Sequence, residues 1–299
     1  MSAATSISGD RRSRCIAQVL SLPLLHDNAI LFMRVLLKHS GLCLLLATGM
    51  ARAQEPPSAE AQQQALKTVT SFAQGYLNRI PNFTCTRTTK HMVAPAATHR
   101  WHDEATVAYE LSYYGRDEHY RLLKVDGVPV KRVPRRSTAE GWLEMNGNFG
   151  WILKELFTAG VHPHFQWEGW QMAQSKRAMV FSYRIALVES HATQSICAGR
   201  LFFTTCKDKN YGFHGLLFID AASLDILRIS DTPDDLPSNY AQGISTVDYG
   251  RVTVAGVEYL LPIADSIETY NGKVLFRNDS TYTDYRKFTA ESTLKTDAP

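Results

Sequence analysis

Between residues 83 and 288 one short, aromatic or β-branched run follows another, and a single helical pattern interrupts them. Residues 83–93, 104–114 and 118–125 are short aromatic or β-branched runs, broken by Gly115 and by Asp126-Gly127. Residues 165–172 and 178–188 follow, the latter with Met179, Phe181, Tyr183, Ile185 and Leu187 on one face and Ser182 and Arg184 on the other. Residues 216–219 with 226–230, and 257–270 with 273–288 across Asn271-Gly272, read as hairpins, since Asn-Gly suits a tight turn with positive φ at both centre residues. Pro262 inside its strand predicts an edge or a bulge, because proline has no N–H for the ladder. Strands that do not alternate with helices exclude a parallel α/β sheet. The fold class is mainly β (α+β): one curved antiparallel sheet, or an unclosed half-barrel, wrapped around helices.

Two segments have helical periodicity. Ser58 caps a helix running to about Ile80, whose apolar positions Ala65, Leu66, Val69, Phe72, Ala73, Tyr76, Leu77 and Ile80 make one stripe, and Pro81 ends it. Asn148 precedes Phe149, Ile152, Leu153, Leu156 and Phe157, a short amphipathic helix closed by Gly160 and set between strands.

Upstream lies MRVLLKHSGLCLLLATGMARA, residues 33–53: basic Arg34 and Lys38, an apolar run, then Ala51-Arg52-Ala53. This is the layout of a cleavable secretory signal, too short and broken for a finished membrane span. It predicts translation from Met33, cleavage after Ala53 and an exported, periplasmic or envelope product. The expected organisation is 1–53 as extension and signal, 58–290 as one β domain and 291–299 as a polar tail. Cys43 makes a poor lipobox, because Leu42 is bulky where a small residue is needed.

Export also changes the charge. Of 32 Lys and Arg, six precede the cleavage point, as do two of 29 Asp and Glu, which leaves 26 against 27. A net charge of −1 disfavours nucleic-acid binding, which depends on clustered cations. The one dense basic run, residues 131–136, reads as a solvated turn or as a peripheral contact to anionic lipid. Of the three remaining cysteines, Cys197 and Cys206 flank a short segment and are candidates for a disulfide, whereas Cys85 alternates with strand residues as a small buried side chain.

Chemistry is hard to find. The chain has no G-x-S-x-G elbow, P-loop, G-x-G-x-x-G after a strand, H-E-x-x-H or C-x-x-C. Ser292–Lys295 matches S-x-x-K only by letters, in the polar tail. His162 and His164 splay apart across Pro163, and nothing completes a set with them or with His99, His102, Asp103 and Glu104, so no metal is expected. Asp231, Asp234 and Asp235 lack the ligand spacing of a calcium loop. Nothing in the sequence brings Glu110, Glu144 and Glu168 together. No catalytic residue and no cofactor is predicted.

The order of amphipathic helix, then Leu77-Asn78-Arg79-Ile80-Pro81-Asn82-Phe83-Thr84-Cys85-Thr86, then a long antiparallel meander resembles the LolA/LolB superfamily of periplasmic lipoprotein carriers. The sensor domain of RseB-type regulators shares that half-barrel. The stretches GLLFIDAASLDILRIS and YLLPIADSIETYNGKVLFRNDSTYTDYRKFTAEST are also similar to exported acidobacterial proteins of no established activity. The resemblance implies a non-enzymatic protein, expected to be a monomer, that holds a lipid or acylated ligand in an apolar cavity under a helical lid. Candidate cavity residues are Phe149, Ile152, Leu156 and Phe157 on the inserted helix, and Phe181, Tyr183, Ile185, Tyr259 and Leu261 on strands. The alternatives are an envelope sensor or scaffold that binds protein through the same fold, and a secreted hydrolase. The chain departs from the carriers in its length and in the 197–206 segment.

Overall fold

The computed structural model divides into two units, Met1–Ala53 and Gln54–Pro299. It describes residues 55–130, 149–158, 160–200, 203–234, 236, 242–270 and 272–288, all in the second unit. Residues 33–53, read above as a signal, residues 131–136, Glu144, Asn148, Asp235, Asn271, residues 291–299, and the side chains of Cys197 and Cys206 lie outside the described residues.

Helix α1 (Ala59–Arg79) begins where Ser58 accepts a hydrogen bond from the Ala61 N–H, 3.2 Å away. It stops at Ile80, which turns extended ahead of Pro81. Its buried residues, Ala65, Val69, Ala73 and Tyr76, recur at steps of three and four and form the expected stripe. Strands β1 (Phe83–Pro95), β2 (His102–Tyr114), β3 (Asp117–Val125) and β4 (Val128–Pro129) then run antiparallel. After α2 (Trp151–Phe157) come β5 (Gln166–Ala173) and β6 (Lys176–Ile185), the ribbon β7 (Thr193–Arg200) with β8 (Phe203–Asn210), and β9 (Phe213–Asp220). Strands β10 (Ile226–Pro233), β11 (Gln242–Val254), β12 (Val257–Tyr270) and β13 (Val274–Lys287) complete the chain.

Eleven strands make one antiparallel sheet in the order β4-β3-β2-β1-β13-β12-β11-β10-β9-β6-β5, and β7 and β8 pair only with each other. The ends of this order, β4 and β5, do not pair, so the sheet is not closed. The first and last strands meet in the middle, in register from Phe83 opposite Lys287 to Pro95 opposite Val274.

Pro262 behaves as its missing N–H requires. In β11–β12 the pairing jumps from Asp248–Ala264 to Tyr249–Pro262, a bulge at Ile263, and β12 meets β13 only from Ala264 onward. Met179, Phe181, Tyr183 and Ile185 are buried on one face, but Leu187 lies past the strand end and is exposed. Phe149 is not helical: it sits in the turn before α2, whose N-cap is Gly150.

Gly215 on β9 marks a close approach. A Cβ there would stand 1.7 Å from the Ser230 carbonyl oxygen of β10 and 2.8 Å from the Tyr183 hydroxyl. Since that oxygen belongs to the ladder, it cannot yield as a side chain would. Gly215→Ala is expected to destabilise the fold by about 3 kcal/mol, the upper end for overpacking, as read from urea unfolding; unchanged stability would contradict the close β9–β10 approach.

Candidate ligand-binding site

One face of the sheet carries the large side chains, and both helices pack against it. In the half formed by β6, β9, β10 and β11, Ile152, Leu156 and Phe157 of α2 join Phe181, Tyr183 and Ile185 and the α1 stripe in one cluster. In the half formed by β1, β2, β12 and β13, Phe149 and Leu261 join Phe83, Cys85, Leu111, Tyr113 and Tyr282. Eight of the nine residues expected around a cavity are thus buried in packed clusters, and Tyr259 is half-buried at the margin of the second. The reason is α2 itself: five of its seven residues are buried, so it fills the concave face.

Phe149 anchors that filling. Its ring lies 5.0 Å from Phe83, 5.4 Å from Tyr282 and 6.0 Å from Tyr113, in the tilted and edge-on geometries that aromatic quadrupoles favour. Its N–H donates to Glu118 Oε1 at 3.0 Å, while the other oxygen of that carboxylate accepts from the Tyr120 hydroxyl. A charged acceptor on β3 therefore holds the start of α2 to the sheet. Sequence reasoning missed Glu118; the signal was its place two residues before Tyr120, on the strand face that pairs with Leu111 and Tyr113.

Tyr259 and Leu261 do share a recess, but its other wall is α1. A cavity of about 360 Å³ lies between Phe72 and Tyr76 on α1, Ile80 just past its end, and Tyr259, Leu260 and Leu261 on β12. Its rim carries Arg79, Asp225, Arg251 and Glu258. Arg251 reaches Asp225 through two bonds of 2.7 and 2.9 Å, and the Arg79 guanidinium stands 5.0 Å over the Phe72 ring. A second cleft, of about 420 Å³, is lined by His164, Ser182, Arg184, His214 and Thr232 among others, with His214 Nδ1 2.9 Å and Arg184 3.2 Å from the Asp234 carboxylate.

A buried polar row crosses the apolar interior where β1, β13 and β12 meet. Arg87 stands 3.6 Å from Asp265, and Tyr282 donates to the same carboxylate at 2.5 Å. Thr89 lies 3.0 Å from Ser280, and His91 Nδ1 lies 2.8 Å from Asn278 Oδ1. Burial pushes the Asp265 carboxyl up and the Arg87 charge opposes it. Arg87 went unpredicted although it shares the parity of Phe83 and Cys85, and that parity places it inside.

Other sequence candidates separate in space. Cys85 is buried, and desolvation pushes its thiol up to about 12, which makes it inert as a nucleophile. Glu110 pairs with Arg121 and Glu168 accepts from Ser182, so the two carboxylates do not meet. Asp103 pairs with Lys90, and His162 lies 3.7 Å from Glu189. Among the described residues no three His, Cys, Asp or Glu side chains converge as a metal site. Cys197 and Cys206 stand directly opposite each other in the β7–β8 register.

No family model matches the chain, and no curated protein matches it. Among solved structures, a LolA superfamily protein of Nitrosomonas europaea is similar at 11% identity and TM-score 0.38, covering 75% of this chain and 94% of that one. A putative outer membrane lipoprotein-sorting protein domain of Vibrio parahaemolyticus is similar at 8% identity and TM-score 0.36, covering 78% and 95%. A DUF1329 family protein of Desulfovibrio piger is similar at 8% identity and TM-score 0.39, covering 76% and 95%.

Two outcomes follow from the geometry. Asp231 is buried and accepts from Ser245, and desolvation raises its carboxyl from an ordinary 3.8 to about 6. Between those values the unfolded chain releases the proton while the fold retains it, so this group lowers stability as pH rises from about 4 to about 6. At 1.36 kcal/mol per unit, Asp231→Asn is expected to stabilise the protein at pH 7 by about 3 kcal/mol and to have no such effect below pH 4. Chemical denaturation across that range reads it. Secondly, unfolded Gln54–Pro299 should titrate one thiol before reduction and three after, if Cys197 and Cys206 are bonded as their register allows; three from the start would exclude the bond.

The open eleven-stranded antiparallel sheet, with α1 and α2 packed against one face, is an unclosed half-barrel.

Proposed function

We propose that this is an exported, non-enzymatic protein of the cell envelope that binds a lipid or acylated ligand against the concave face of its half-barrel. The observation that carries the reading is the nature of what covers that face. A seven-residue helix, too short to be stable alone, packs its apolar side chains over that face beside α1. A cover so small is removable, and the wall beneath it (Phe181, Tyr183, Ile185, Leu217) suits an acyl chain. Helix α2 then acts as the lid, with Phe149 and the Glu118 carboxylate as its latch.

One observation favours a second reading. The interior is filled as it stands, and a module that binds an envelope protein through its surface needs no cavity. Native mass spectrometry of Gln54–Pro299 purified from a periplasm, with an organic extract run alongside, separates the two. The binding reading expects a bound phospholipid or acyl mass, and expects Phe181→Asp with Leu261→Asp to abolish it in any protein that still folds. An unliganded mass from fresh periplasm would overturn it in favour of the protein-binding module.

A further inference from the structure

Where the two packed clusters meet, three buried hydroxyls have no hydrogen-bond partner among the described residues. Tyr76 on α1, Tyr113 on β2 and Tyr249 on β11 are each at most 3% exposed, and the oxygen of each is sealed from solvent. An unmet buried hydroxyl costs about 1–3 kcal/mol, so three would cancel much of the roughly 5–15 kcal/mol by which a domain is ordinarily stable. Phenylalanine at each position would avoid that cost. Three such tyrosines in one interior call for a shared acceptor.

All three gather near one carboxylate. Glu118 on β3 accepts from the Phe149 N–H at 3.0 Å, and the Tyr113 ring lies 6.0 Å from the Phe149 ring. Helix α1 brings Tyr76 to the same place: a Cβ on Gly150, next to Phe149, would collide with the side chain of Leu77, next to Tyr76. Tyr249 packs with Tyr76 in the cluster of the other half. The electrostatics agree with that placement. Burial first, then Tyr249, Tyr113 and Glu118, raise the Tyr76 phenol well above its ordinary value. Burial, then Asp231 and Glu118, raise that of Tyr249, and burial, then Glu118, raise that of Tyr113. Each hydroxyl therefore keeps its proton and is a donor, close enough to sense the carboxylate and yet not bonded to it. Polar groups separated in this way are the setting in which a water bridges.

We infer that α1, β2, β3 and β11 share a site for ordered water: at least one buried water accepts from the Tyr76 and Tyr249 hydroxyls and donates to the Glu118 carboxylate, with Tyr113 as a further donor to the same group. A buried water makes about three hydrogen bonds and is held by polar walls, where an apolar cavity stays dry. A carboxylate only accepts and has about four lone-pair positions, of which the Phe149 N–H and the Tyr120 hydroxyl use two. The water ties α1 to the residue that anchors the start of α2. This site does not depend on what the half-barrel binds.

The test compares Gln54–Pro299 with its Tyr76→Phe, Tyr249→Phe and doubly substituted variants. Magnetic relaxation dispersion of the water oxygen counts waters held inside a protein for longer than its tumbling time, and the double variant should hold at least one fewer than the parent. Each single substitution should lower the folding constant from urea unfolding about fivefold, the effect of one hydrogen bond. The double variant should lower it by clearly less than the product of the two, because loss of either donor already loosens the shared water. An unchanged water count, a folding constant that rises in either single variant, or a double effect equal to the product would each overturn the inference. Should the double variant not fold, an atomic-resolution crystal structure of the parent decides. Density for a water within about 3.2 Å of the Tyr76 and Tyr249 oxygens upholds the site, and hydroxyls bonded directly to protein groups overturn it.

Discussion

Everything in this half-barrel hangs on the pairing of its first strand with its last. Strands β9 to β13 form one meander and β1 to β4 another, and only the β1–β13 ladder makes them a single sheet. An alternating ladder of this length is vulnerable to slippage, because a shift of one residue turns every side chain to the other face and a shift of two restores the apolar pattern. The buried polar row removes that freedom. Arg87, Thr89 and His91 meet Ser280 and Asn278 across the seam, and Asp265 joins from β12. A shift of two would break these pairings, and a buried ion left without its partner costs several kcal/mol. The polar groups at the centre of an otherwise apolar face thus act as the register mark of the sheet.

Local physics was legible in the chain, and long-range pairing was not. The Ser58 cap, the α1 stripe and the Pro262 bulge each follow from a few consecutive residues, and the structure shows all three. Strand β11 was not read as a strand; it becomes recognisable through the β10 and β12 ladders on either side of it. Which strands flank β1 is likewise invisible, since its neighbour β13 lies nearly two hundred residues away. The candidate site suffered for that reason. Large inward residues were identified correctly as a set, but the filling of their space by α2 depends on where the insertion docks. Phe149 shows the difference: its helical spacing placed it on α2, whereas its cage of Phe83, Tyr113 and Tyr282 holds it in the turn beforehand.

That filling sets the energetics of any ligand beneath α2. Four apolar side chains of the helix are buried, Ile152, Leu153, Leu156 and Phe157, each worth about 1.5–3 kcal/mol. Lifting the helix into water therefore costs on the order of 6–12 kcal/mol before the bond from Phe149 to Glu118 is considered. A ligand must replace those contacts, so its apparent affinity is its intrinsic affinity reduced by the fraction of molecules that are open. Only a long acyl chain has enough apolar surface to offset such a term.

The recess beside Tyr76 is under no such constraint. Its walls belong to α1 and β12, two of the longest elements, and neither needs to move for it to exist. The two places therefore differ in kind: a face that α2 must leave before anything can reach it, and a recess that stands open. Leu261 belongs to both, since it packs in the Phe149 cluster and also lines the recess.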